Sequence, residues 1–168
     1  MILLCNAMQP ITLSPLQTYL TRLQSLLADV ERWSQARGLL LQRDAISLNE
    51  EAYGVYRADT LRLLTPAGSP IAALIPVGAS IIGAKGRVDL EGTIDQAILV
   101  DWDAGGPQFE TSVHADGQVE RRPQPIYRHV DEPGWYWVES RPLARAHKLD
   151  ESLFFELLFL VSEYDLRR

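Results

Sequence analysis

Cysteine is nearly absent from this chain. Cys5 is the only one, so neither an intramolecular disulfide nor a cysteine-based zinc site can be assembled from it. A reducing compartment, the cytoplasm, is the expected location. Lysine is almost as scarce, with Lys85 and Lys148 alone, so cationic work falls to arginine. A net positive charge is also missing. The formal charge is −6 and the pI about 5.0, which disfavours binding to a phosphate backbone, since that needs a basic patch. The N-terminal run Met1–Met8 has no basic stretch before its few apolar residues, and export is not expected.

Complete catalytic sets are lacking too. His114, His129 and His147 share no metal-ligand spacing. Ser80, Ser112 and Ser140 sit in no nucleophile elbow. The glycines around Gly78-Ala-Ser-Ile-Ile-Gly83-Ala-Lys85 do not make a phosphate-binding loop, because lysine does not follow the second glycine and no Ser or Thr follows the lysine. Residues 63–84 carry no charge, a length suited to a membrane span. Pro66, Pro70, Pro76, Gly68, Gly78 and Gly83 interrupt that stretch. At this density they break a helix, so a membrane association is not expected and buried strands are.

What is present predicts an α+β fold. With 168 residues and 46% apolar content, the chain reads as a single domain, residues 1–168, with 1–10 as a flexible N-terminal extension. Ser14 as N-cap, Pro15 at the first helical position and Gln17 at the capping-box position open an amphipathic helix over 14–36. Its stripe is Leu16, Tyr19, Leu20, Leu23, Leu26, Leu27, Val30 and Trp33. Residues 39–56 leave helix and strand open, with Leu39–Gln42 and Ala45–Leu48 as candidate short strands. From about 55 onward β patterns dominate. The run 71–82 reads as a covered strand bent at Pro76-Val77-Gly78, and Ala115-Asp-Gly117 as a hairpin turn. Pro142–Leu149 reads as a connection. Asp150 caps a final apolar helix, buried on more than one side. The architecture expected is a central, mainly antiparallel sheet of about five to eight strands with both helices packed on it.

Two constellations could carry function. Asp89 and Glu91 alternate along one strand, and Asp101 and Asp103 along the next. If residues 91–95 form the turn of a hairpin, the two pairs could approach on one sheet face and hold Mg²⁺ or Mn²⁺. An acid on one strand followed by a second acid-x-acid strand superficially resembles the restriction-endonuclease-like nucleases. Those carry a lysine where this chain has Asp103, and the group that would orient an attacking water is therefore missing. The alternative is that all four are outward positions of a half-exposed strand pair, which is the default for polar residues at period two.

The second constellation is rich in arginine and aromatics: Arg121, Arg122, Tyr127, Arg128, Trp135 and Trp137. That is the composition of protein interfaces, although two Trp on one strand face also suit a core. Two functions follow. One is a non-catalytic, acidic protein–protein interaction protein of the immunity, antitoxin or assembly-partner kind, needing no cofactor and pairing with another protein or with itself through the apolar C-terminal helix. The other is a divalent-cation-dependent phosphoester hydrolase using Asp89, Glu91, Asp101 and Asp103. The absence of a Lys, His, Cys or Ser at useful spacing from the acids favours the first.

Overall fold

The computed structural model describes residues 12–115, 118–139 and 145–166. The expected N-terminal extension, the Asp116-Gly117 turn and Ser140 lie outside these residues. Among these residues two helices and a seven-stranded antiparallel sheet make an α+β fold. Helix α1 (Pro15–Ala36) opens as its sequence dictates. The Gln17 N–H donates to Ser14 Oγ at 3.2 Å, and Gln17 Oε1 accepts from the Ser14 N–H at 2.9 Å, which satisfies two otherwise orphaned donors. Its apolar stripe buries Tyr19, Leu23, Leu26, Leu27 and Val30.

The segment that sequence periodicity leaves open is strand. β1 (Leu40–Glu50) and β2 (Gly54–Leu64) pair residue for residue from Leu40↔Leu64 to Glu50↔Gly54. One eleven-residue strand stands where two short ones were expected. The polar Arg43-Asp44 centre does not interrupt it, because Arg43 Nη2 donates to Glu31 of α1 at 3.1 Å. The charge-free stretch supplies β3 (Pro70–Gly78), which sits inside the sheet with Ile71, Ala72 and Leu74 buried. Its ladder with β4 (Gly86–Gly92) shifts register between Pro76 and Gly78, at the predicted bend.

β4 and β5 (Gln96–Trp102) form a hairpin, and β8 (Gly134–Val138) and β9 (Ala146–Lys148) complete the order β1-β2-β3-β4-β5-β8-β9. β9 lies within what reads as a connection. Three residues are too few to show a period, and only the register with Tyr136–Val138 defines the strand. Between β5 and β8 the chain leaves the sheet as a separate two-stranded hairpin, β6 (Gln108–Ala115) and β7 (Gln118–Pro125).

The C-terminal helix α2 (Glu151–Ser162) starts at Asp150, whose carboxylate accepts from the Leu153 N–H at 2.8 Å. Phe154, Leu157, Leu158 and Val161 are fully or almost fully buried against the sheet, each contributing roughly 1.5–3 kcal/mol. Its carbonyl end holds the β4–β5 turn, since the N–H groups of Ile94 and Asp95 donate to the Val161 oxygen at 3.0 and 3.2 Å. Gly92 makes room for this, because a Cβ there would sit 2.1 Å from that oxygen. Phe159 and Leu160 remain about half exposed, so α2 is less enclosed than its composition suggests. Among the described residues no helix is long and apolar enough to cross a membrane.

Both helices pack on one sheet face, where Leu61, Leu63, Leu74, Val88, Leu90 and Leu99 meet them. Among the described residues the other face has no helix. Its interior is a smaller cluster of Trp102, Val130, Tyr136 and Ala146.

Candidate functional site

Register decides the fate of the acidic segment. The β4–β5 hairpin exists, with Gly92 N–H donating to Asp95 O at 2.9 Å. Its pairs are Gly86↔Asp101, Val88↔Leu99, Asp89↔Ile98 and Glu91↔Gln96. Cross-strand partners share a face, so Asp101 lies with Val88 and Leu99 on the helix side. Asp89 and Glu91 lie on the helix-free side. The expected approach of the two acidic pairs does not occur, because three pairing positions, an odd number, separate Asp89 from Asp101 along the ladder, which puts them on opposite faces.

Each inward-facing carboxylate instead meets an arginine of the same chain. Asp101 has no solvent exposure, and both its oxygens accept from Arg22 Nη1 at 2.9 Å. Arg22 Nη2 donates to Asp103 at 3.0 Å, and Lys85 Nζ stands 3.4 Å from the other Asp103 oxygen. Burial pushes the Asp101 carboxyl above the usual carboxylate range against the pull of Arg22. Asp103 is more exposed, and its hydrogen bond from Arg22, supported by Lys85, holds it below that range. Asp89 is clasped by its strand neighbour: Arg87 Nε and Nη2 donate to its two oxygens at 2.7 and 2.8 Å. Glu91 is exposed. A divalent cation entering between Asp101 and Asp103 would have to displace a guanidinium bonded to both.

A second buttress stands at the end of β1. Glu50 accepts from the N–H groups of Ala79 (2.9 Å) and Ser80 (2.7 Å) and from the Tyr56 hydroxyl. Burial raises the Glu50 carboxyl, but these donors outweigh it and hold it below its ordinary value. Nearby, burial raises the Tyr19 phenol, with Tyr56 and Glu50 adding to the effect. The Tyr19 hydroxyl donates to Arg87 O at 3.1 Å, and its ring packs where any Gly86 side chain would sit, 2.2 Å from an ideal Cβ.

On the helix-free side a groove of about 670 Å³ runs beside β5. Ile98, Val100 and Trp102 line it from alternate positions of β5, together with Ile81, Ile82, Ile126, Tyr127 and Val138. Tyr127 stacks on Trp102 with ring centroids 5.0 Å apart, and the indole N–H is satisfied by Gly83 O at 2.8 Å. Ile82 is fully exposed, and Ile98 and Ile126 are each about two-fifths exposed. Asp95 and Gln96 line one end. An apolar volume of this size with few polar groups is suited to binding. Towards the end of α2 the exposed apolar surface continues through Leu160, Phe159 and Ile94.

The arginine and aromatic residues do not form one surface. Arg121 and Arg122 stand exposed on β7, where Arg122 Nη2 donates to Glu120 at 2.8 Å and Arg121 lies 3.8 Å from Glu110. Tyr127 belongs to the groove, and Arg128 is exposed beside it. Trp135 is in the main core, donating its N–H to the Arg22 carbonyl at 3.2 Å. Trp137 is half-buried, touches that core and the groove, and packs near His147 at 5.7 Å. Residues that the sequence does not single out do much of the positioning: Arg22, Glu50 and the isoleucines 81, 82, 98 and 126. Arg22 lies 79 positions from Asp101, and no local signal joins them.

The fold and its groove define an α+β protein with a helix-free, partly apolar sheet face. No protein-family model, curated protein or solved structure matches the chain.

Proposed function

We propose that this is a non-catalytic protein-interaction protein that presents the helix-free side of its sheet, groove and projecting hairpin together, to a protein partner. One observation carries the reading. The interior carboxylates of the acidic segment are neutralised by Arg22 and Arg87, while the apolar groove beside β5 stays open. Those carboxylates are thus committed to structure, while the groove beside them offers a mostly apolar surface, as at the core of a protein interface.

The test has two arms. Thermal melting with and without millimolar Mg²⁺ or Mn²⁺, on wild type and Asp89→Asn, is expected to show no metal-dependent rise. A rise that the substitution abolishes would put the cation-dependent phosphoester hydrolase in its place. In the second arm, a partner identified by affinity capture is titrated against wild type and Ile126→Asp. Loss of affinity only in the variant supports the reading, and equal affinity moves the interface elsewhere.

A further inference from the structure

The β6–β7 hairpin is an arm without a body. Residues 108–112 and 118–125 are exposed throughout, Phe109 and Val119 among them. Apart from the pairing of its own two strands, no described helix or strand makes more than slight contact with it. A lone two-stranded ribbon is at best marginally stable in water, so eight paired positions call for a third surface. The arm is rooted at the groove. Pro107 and Ile126 line that groove, and the Ile126 N–H donates to Pro107 O at 2.9 Å at the arm's base. Beyond this point no described residue of the arm lines the groove.

We infer that the arm docks into the groove of a second copy, giving a dimer by reciprocal arm exchange; this rests on the interaction reading above. Charge complementarity selects the occupant. The groove is apolar along its length and acidic at one end, where Asp95 lines it and Glu91 faces the same side, and among the described residues neither makes a salt bridge. On the arm, Val119 and Arg121 are two apart on one strand and so share a face. Val119 suits the apolar floor and Arg121 the acidic end. Arg121 is free to do this, because its present contact with Glu110 is long and solvent-exposed. Exchange about a two-fold axis fills both grooves and leaves no open site, so assembly stops at two.

The experiment is sedimentation over a concentration series on the full chain, with Val119→Asp on the arm and Ile82→Asp on the groove wall. Both residues are exposed, so melting of the dilute protein reports whether either variant fails to fold. Wild type is expected to be dimeric and each variant to dimerise roughly 30-fold more weakly or worse. Mixing the two variants restores one intact arm–groove contact, so the mixture should associate more tightly than either alone. A simple face-to-face dimer would not behave so. A monomeric wild type, a dimer indifferent to both substitutions, or a mixture no tighter than its components overturns the inference. If wild type is monomeric while the groove variant of the preceding test loses its partner, arm exchange fails and the interaction reading stands.

Discussion

Replacing Arg22 by leucine is the sharpest probe of how this fold tolerates its acidic segment. The change removes the only cation bonded to Asp101 among the described residues and leaves that carboxylate with no solvent exposure. Breaking a fully buried ion pair from one side costs about 3–5 kcal/mol. The Arg22 side chain is 28% exposed and water reaches part of it, so the lower figure of about 3 kcal/mol applies. For a chain of this length that lowers the melting temperature by roughly 6–12 °C.

The pH dependence has a definite sign. Burial already raises Asp101, and losing Arg22 raises it further. A carboxyl whose folded pKa exceeds its unfolded value favours the fold below the unfolded pKa and penalises it as pH rises through the folded one. The lost Asp103 contact, present in wild type above the ordinary carboxylate value, disappears on acidification as well. Both effects make the deficit largest near neutrality and smaller below about pH 5. Urea unfolding of wild type, Arg22→Leu, Asp101→Asn and the double variant at two pH values measures this, and the double variant should recover more than half the loss. A deficit under about 1 kcal/mol, or one equal at both pH values, would falsify the account of Asp101 as a buried charge held by Arg22.

Three further outcomes are expected. Gly92→Ala should lose about 1–3 kcal/mol in urea, because the new methyl meets the Val161 carbonyl 2.1 Å away and backbone gives way poorly; an unchanged midpoint would mean that α2 shifts freely. Glu50→Gln should lose about 1–2 kcal/mol near neutral pH. Its folded pKa is held down, so that stability exists above the ordinary value and fades as pH falls below about 4; a deficit unchanged at low pH would place the effect elsewhere. Ser14→Ala should cost about 1 kcal/mol and raise amide exchange at Gln17, whose N–H loses its acceptor, while exchange in α2 stays the same.

Much of the fold can be read along the chain because its signals are local. Ser14, Pro15 and Gln17 announce α1, Asp150 announces α2, and the alternation of Val88 and Leu90 with Asp89 and Glu91 assigns faces on β4 correctly. Residues 39–56 resist such reading because β1 mixes half-buried Leu41, Ile46 and Leu48 with charges such as Arg43, whose partner Glu31 lies on α1. The candidate site is legible only in part. That Asp101 and Asp103 act together follows from their spacing. That Asp89 is turned away from them depends on hairpin register, which a one-residue slip would reverse. The groove is hidden for a different reason: Ile81, Ile98 and Ile126 look like core residues, and no described helix covers their side of the sheet.

The bond between Arg22 and Asp101 also ties together distant parts of the chain. Its partners are 79 positions apart, whereas the capping box of α1 closes over three. The helix closes its own cap locally, whereas this contact exists only where β5 presents Asp101. Without the guanidinium Asp101 keeps its water, since shedding it unpaired is unfavourable. The contact therefore rewards the seat of α1 only where β5 already presents Asp101, which couples a local element to a distant one.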